Sequence, residues 1–197
     1  MKLAFIIILN YLVGSIPFAY IAGKVLKGID IREYGSGNVG ATNAFRVLGT
    51  GPGIFVFAAD TLKGVFGVYL AKMFLADLWL VVAASLAVII GHSYSVFLGF
   101  KGGRGVATGA GIILSLSPRV LLLALILFVI IVLTTKYVSL GSITAAFSLP
   151  ILMFIFNEPA PIKLLGFAAA VLVIYRHKPN IKRLLEGTES KITDRFR

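Results

Sequence analysis

Two glycine-rich stretches set hydroxyls, amides and cations around turns tight enough to hold an anion. In the first, Gly35-Ser36-Gly37-Asn38-Val39-Gly40, the glycines follow a GxGxxG spacing, and Thr42, Asn43 and Arg46 come soon after. In the second, Lys101-Gly102-Gly103-Arg104-Gly105, two cations stand among glycines just ahead of an apolar run that ends at Leu116. Glycine lets successive backbone N–H groups turn toward one hollow, and such a hollow binds phosphate. Gly37, Gly102 and Gly103 are therefore read as backbone donors. Ser36, Asn38, Thr42 and Asn43 can add neutral hydrogen bonds, and Arg46, Lys101 and Arg104 charged ones. Two basic glycine loops predict two phosphate positions.

The first loop also satisfies a dinucleotide-binding fingerprint, with Asp60 twenty positions beyond Gly40, where a ribose-binding carboxylate would be sought. That fingerprint is meaningful only between a strand and a helix of a βαβ unit. Here the neighbouring segments are long apolar runs, so the reading is rejected. A Walker A loop fails too, because Ala41-Thr42 stand where Lys-Ser/Thr is required. A third cluster is the tail YRHKPNIKRLLEGTESK, beginning at Tyr175. Pro179 suits a first helical turn, and Ile181, Leu184 and Leu185 then form an apolar stripe, which predicts an amphipathic helix at the membrane surface. His177 and Asn180, three apart, share a face of it. Ser142, at the entrance of a predicted helix, is a further candidate.

All of these residues must be positioned by a chain of 197 residues that is 58% hydrophobic and only 14% charged, against roughly 25% charged in soluble domains. Its mean hydropathy is +0.97. A spanning helix needs about 20 apolar residues, and such runs lie near 3–23, 53–72, 78–98, 119–135, 140–156 and 161–175. The shorter run 105–116 is either a seventh, thin crossing or a re-entrant segment in which Gly105 and Gly109 allow close backbone approach. The expectation is an all-α polytopic membrane protein of about seven transmembrane helices, one of them short, folded as a single domain over 1–197. A cleaved leader is disfavoured, because the first run continues through GSIPFAYIAGK with no small-x-small site.

The net charge of +11, from 19 Lys and Arg against 8 Asp and Glu, is distributed unevenly. With the N-terminus outside and the C-terminus cytoplasmic, only Lys2, Lys72, Arg119 and Lys163 fall outside, and Lys63 lies within the bilayer. The positive-inside rule favours that orientation, which puts both glycine loops and the tail in the cytoplasm. The charge is then assigned to topology, anionic lipid and phosphorylated substrates, not to nucleic acid. Asp60 and Lys63, three apart inside an apolar run, are expected to pair as structural support, since an isolated charge there is expensive. His92 reads as a satisfied structural histidine. Cysteine is absent, and the two histidines are far apart with no cluster of carboxylates beside the basic loops, so neither a metal nor a cofactor is expected.

The stretches GSIPFAYIAGKVLKGIDIREYGSGNVGATNAFRVLG, GHSYSVFLGFKGGRGVATG and YRHKPNIKRLLEGTE together resemble the three signature regions of the bacterial acyl-phosphate:glycerol-3-phosphate acyltransferases, the PlsY family. The likeness runs in order from Gly14 to Glu189. It implies transfer of a fatty acyl group from acyl phosphate to the 1-hydroxyl of sn-glycerol 3-phosphate at the cytoplasmic side of the bacterial inner membrane, giving lysophosphatidic acid and phosphate. The enzyme that makes acyl phosphate is then a further candidate partner. The resemblance assigns importance to Ser36 and Arg46, to Lys101 through Gly105, and to Asn180 and Glu189. Two positions depart from the pattern: Arg104 stands where many members have Lys, and Ser95 where Pro is frequent. The attacking hydroxyl must lose a proton, and either His177 or the donor's own phosphate can take it. Neither His92, with Phe97 five residues on, nor His177, with Lys182, fits the HxxxxD pattern of CoA-dependent acyltransferases. A small anion or phosphate transporter is the alternative from a different class.

Overall fold

The computed structural model describes residues 1–194, and among them regular structure is entirely helical. Ten α-helices follow in order: α1 (Lys2–Ser15), α2 (Phe18–Lys27), α3 (Ala41–Leu48), α4 (Thr50–Phe74), α5 (Leu78–Ser93), α6 (Val106–Leu116), α7 (Pro118–Thr135), α8 (Val138–Ile155), α9 (Ala160–Arg176) and α10 (Lys178–Leu185). They fall into two compact units, residues 1–115 and residues 116–194.

Local chemistry sets the ends of these helices. Pro17 has no N–H and holds Ile16 extended at φ −57°, ψ 117°, which divides one apolar run into α1 and α2. Gly28 closes α2 in the left-handed region at φ 67°, its N–H bonded to the Gly23 and Lys24 carbonyls. Asp77 caps α5 by accepting from the N–H groups of Trp79 and Leu80. Pro118 opens α7, where a missing N–H costs nothing.

Five helical stretches, counting α1 and α2 together as Lys2–Lys27, are long and apolar enough to cross a membrane. A sixth arises if α9 and α10, bent by 57°, form one broken span. The seventh crossing expected from sequence is α6, whose 11 residues extend only about 16 Å, against the ~30 Å hydrocarbon core. It is the short apolar helix that the sequence predicts, and it packs through Gly111 on α4. Many large side chains stay exposed along the spans, among them Leu122, Leu125, Ile126 and Leu133 of α7. Facing lipid they cost nothing, so close packing and paired polar groups must supply the specificity.

In residues 1–115 that packing is built on glycine. Cβ atoms on Gly14 and Gly91 would collide with the Val88 and Tyr11 carbonyl oxygens, so α1 and α5 cross nearly backbone to backbone. Gly64 and Gly111 do the same for α4 and α6 against the carbonyls of Thr108 and Thr61. The close approach of α6 thus runs through Gly111, while Gly105 is a left-handed turn at φ 82° and Gly109 meets only the end of Ile89. Asn10, fully buried, fastens three helices by donating to Gly67 O at 3.1 Å and Ala84 O at 2.9 Å. In residues 116–194, α7 packs on α8 and α8 on α9, with Gly166 against the Met153 sulfur.

Gly111→Ala is expected to destabilise the purified protein by about 1–3 kcal/mol through overpacking. Gly51→Ala, where a Cβ meets open space in the same bundle, should be neutral or slightly stabilising. Thermal unfolding in detergent compares the two, and equal midpoints would contradict the assigned contact.

Candidate functional site

The first glycine loop is organised around one side chain. Asn43, fully buried at the start of α3, accepts the Ser36 N–H on Oδ1 at 2.8 Å and donates from Nδ2 to the carbonyls of Ile31 at 3.2 Å and Tyr34 at 3.0 Å. Its amide is consumed in shaping the loop, so the expected role of Asn43 as a phosphate donor is corrected to that of a scaffold. Gly35 and Gly37 take φ of 60° and 68°, which only glycine adopts without strain, and a Cβ on Gly35 would strike Asn43 Oδ1. The Gly37 N–H donates to Tyr34 O at 3.0 Å, so its expected role as a phosphate donor is corrected to that of a turn residue. Ser36, Asn38, Thr42 and Arg46 remain half-buried around it, with Thr42 in the first turn of α3, where backbone N–H groups lack helical partners. Arg32, nearer in sequence, is committed elsewhere. It forks onto Asp30 at 2.6–3.1 Å, and that hydrogen bonding lowers the Asp30 pKa to about 2.

The second loop folds back on the end of α5. The Gly102 N–H donates to Ser93 O at 3.2 Å and the Gly103 N–H to His92 O at 3.0 Å. These two amides therefore face the protein, which corrects their expected role as phosphate donors. Glycine is needed here for proximity, since a Cβ on either residue would collide with His92. Lys101 is exposed and Arg104 half-buried on this loop, directly before α6. The two glycine loops meet, because a Cβ on Gly103 would also lie 2.9 Å from Val39 O.

Behind them lies a buried charged cluster. Lys63 Nζ is 2.8 Å from Asp60 Oδ1, and His92 Nδ1 is 3.5 Å from the same oxygen. Lys63 also donates to Ile16 O at 3.1 Å, at the break between α1 and α2. Ser95, where Pro was expected, is extended at φ −65° and donates from its hydroxyl to Ser15 O at 2.6 Å. It replaces a ring constraint with an interhelical hydrogen bond, and the end of α5 stays tied to α1.

In residues 116–194, His177 and Asn180 are almost fully buried, at 1% and 2% exposure. His177 stands at the 57° bend between α9 and α10. Its Nδ1 donates to Val173 O at 2.7 Å, so in the neutral ring Nε2 is the basic nitrogen. Asn180 donates from Nδ2 to Glu189 Oε1 at 2.6 Å, and Arg183 Nε donates to Glu189 Oε2 at 2.7 Å. Because a carboxylate only accepts, the amide orientation of Asn180 is fixed. Its Oδ1 is left buried with no donor among the described residues. Ser142, buried one turn into α8, donates its proton to Val138 O at 2.9 Å and keeps acceptor capacity.

Sequence reasoning missed the helix α3 and the part played by His92. The hydroxyls and amides of Ala41 to Leu48 look like loop, and the signal that would have found α3 is its amphipathic pattern ahead of Gly49. Burial of His92 against Gly103 depends on a fold-back that spacing alone does not reveal.

Residues 4–187 match the sequence profile of the family described as glycerol-3-phosphate acyltransferase. The chain is 51% identical over 189 residues to glycerol-3-phosphate acyltransferase 2 of Moorella thermoacetica, covering 96% of this chain and 97% of that one. It is 49% identical over 195 residues to the glycerol-3-phosphate acyltransferase of Syntrophomonas wolfei, covering 99% and 100%. Its structure is similar to the crystal structure of PlsY, an integral membrane glycerol 3-phosphate acyltransferase, in the glycerol 3-phosphate form. The TM-score is 0.92 at 44% identity, over 97% of this chain and 96% of that one. The lysophosphatidic acid form of PlsY gives 0.90 at 43% identity, over 97% and 95%.

The Glu189 knot has a pH signature. Burial pushes its carboxyl up, but hydrogen bonds from Ser139, Asn180 and Arg183 outweigh that and hold it below its ordinary value. A carboxyl lowered in the folded state stabilises fully above its unfolded pKa, about 4.3, and that contribution disappears as pH falls through the folded value. The thermal midpoint of the wild type should therefore drop more steeply on acidification from pH 6 toward 3 than that of Glu189→Gln, which starts lower. Parallel curves would refute the assignment.

Proposed function

The chain belongs to the glycerol-3-phosphate acyltransferase family, and from that premise we propose that it moves a fatty acyl group from acyl phosphate to the 1-hydroxyl of sn-glycerol 3-phosphate. The products are lysophosphatidic acid and inorganic phosphate. The relative solved in glycerol 3-phosphate and lysophosphatidic acid forms supports the acceptor and the product. The donor is argued from chemistry: the chain has no cysteine and no HxxxxD pattern, but it has two basic glycine loops for two phosphorylated reactants.

The observation that carries the reading is the buried, donor-less Asn180 Oδ1. An ionised phosphate offers it nothing, whereas a substrate hydroxyl donates a hydrogen bond. Asn180, held by Glu189, orients the glycerol hydroxyls, and His177, three residues before it, is a second group for that task. Ser36, Asn38, Thr42, Arg46, Lys101 and Arg104 grip phosphate. The glycerol oxygen attacks the acyl carbon, the bond from that carbon to the phosphate oxygen breaks, and phosphate leaves. The proton passes to the donor's own phosphate, which lies beside the reaction centre, and the cations offset the charge that develops there. An acyl phosphate is already activated, so orientation and charge neutralisation supply most of what the protein adds. The uneven charge distribution, read by the positive-inside rule, supports a location for these groups at the cytoplasmic rim of a bacterial plasma membrane.

Purified protein in lipid, given acyl phosphate and glycerol 3-phosphate, should form lysophosphatidic acid and release phosphate in equal amounts. Asn180→Ala and Arg46→Ala should each lower kcat/KM by roughly a hundredfold or more. Activity with acyl-CoA alone would overturn the donor assignment. Phosphate uptake into liposomes without turnover would overturn the reaction class.

A further inference from the structure

We propose that His92, held from behind by Asp60 and Lys63, is a positioning residue for the Lys101–Gly105 loop, so that a charged cluster buried among the helices sets the affinity for one of the two phosphorylated substrates. This rests on the reading of that loop as a phosphate site.

Asp60, Lys63 and His92 are exposed by only 2%, 5% and 7%. Burying charge in a helix bundle is costly unless each group is paired, and an apolar trio of similar volume would pack without that cost. Asp60 and Lys63 already balance one another at 2.8 Å. A third titratable group is therefore superfluous for neutrality, and its position gives it another use.

His92 touches the loop in two ways. Its carbonyl accepts the Gly103 N–H at 3.0 Å, while the next carbonyl, Ser93, accepts that of Gly102 at 3.2 Å. Its ring Nε2 lies against Gly103 so closely that no Cβ fits between them. The middle of the loop is thus moulded on the last turn of α5 and on the face of one imidazole. That imidazole is in turn aimed by Asp60 at Nδ1, Asp60 is fixed by Lys63, and Lys63 is tied to Ile16 O at the α1–α2 break. A cavity of about 10 Å³, bordered by Asp60, His92, Val39, Gly102 and Gly103, shows that the cluster reaches the underside of both glycine loops. Its size suits one water among polar neighbours. Lys101 and Arg104 flank the two moulded glycines, so a tilt of the ring moves the cations themselves. Charged forks are sensitive to such displacement.

The test is steady-state kinetics on full-length His92→Asn, His92→Phe and Asp60→Asn in lipid, varying each substrate separately and recording thermal midpoints. Asn keeps a donor near the Nδ1 position, whereas Phe keeps the ring and loses the donor. The expected result for His92→Phe is a KM for one phosphorylated substrate raised about tenfold, with the other KM and kcat changed by less than about threefold. His92→Asn should fall nearer the wild type, and Asp60→Asn should follow His92→Phe. If Asp60→Asn fails to fold, the two His92 variants decide. Folded His92→Phe with both KM values unchanged, or with kcat lost and both KM values intact, overturns the proposal. Lys101→Ala and Arg104→Ala separate the two readings. If neither shifts any KM, the phosphate reading of the loop fails. If they do and His92→Phe does not, only the positioning role fails.

Discussion

Inside a bilayer no water is available to satisfy a polar group, and the rest of this structure depends on that constraint. Each backbone donor and acceptor must be paired within the protein, so the chain spans as helices, and each polar side chain in those helices needs a named partner. Asn10 reaches two carbonyls on two other helices. Lys63 finds Asp60 and the carbonyl exposed by the Pro17 break. Lipid also removes the usual gain from bringing apolar faces together. Helices in residues 1–115 associate instead through glycines that let one backbone lie on another. The groups that a charged substrate needs are confined to the loops and helix ends, where desolvation is affordable.

Glycine consequently has two jobs in one sequence. In Gly35 and Gly37 it provides a positive φ that shapes a turn around Asn43. In Gly102 and Gly103 it provides proximity, because their N–H groups bond to the end of α5 and a side chain would strike His92. The two jobs look alike in sequence, where each loop reads as an N–H hollow for phosphate. Spacing alone cannot say toward which side an amide turns. That direction is decided by what lies beneath the loop, and beneath the second loop lie the carbonyls of His92 and Ser93.

The long helices were legible because each is a run of about 20 apolar residues closed by Gly, Pro or Asp, and such runs report lipid exposure directly. The six runs read from the sequence fall largely on helix, but 3–23 is divided at Pro17 into α1 and α2, and 78–98 continues past the end of α5 at Ser93. What escaped were features set by tertiary context. The α1–α2 division needed a partner for the freed carbonyl of Ile16, supplied forty-seven positions later by Lys63. Helix α3 is only eight residues long, so its amphipathic pattern competes with the turn-forming Thr42 and Asn43 and with the flanking Gly40 and Gly49. The chemistry-bearing residue types were visible from the start, whereas the division between scaffold and ligand-facing groups was not. Asn43 and Asn180 are both buried amides, yet the first spends both ends on the backbone while the second keeps its oxygen.

That last contrast carries the proposed chemistry. An amide is ambiguous as a recognition group because it offers a donor at one end and an acceptor at the other, and a rotation exchanges them. Glu189 removes the ambiguity, since its carboxylate can only accept and therefore demands the Asn180 NH₂. Arg183 holds the second carboxylate oxygen, so the carboxylate cannot turn to serve another partner. The result is a fixed acceptor in a buried place, and fixed acceptors select donors: a glycerol hydroxyl qualifies and an ionised phosphate oxygen does not. On the proposed reading recognition is then divided by chemical type, alcohol at Asn180 and phosphate at the glycine loops. A reaction that joins an alcohol to an acyl group carried by phosphate requires that division, and it needs no nucleophile from the protein itself.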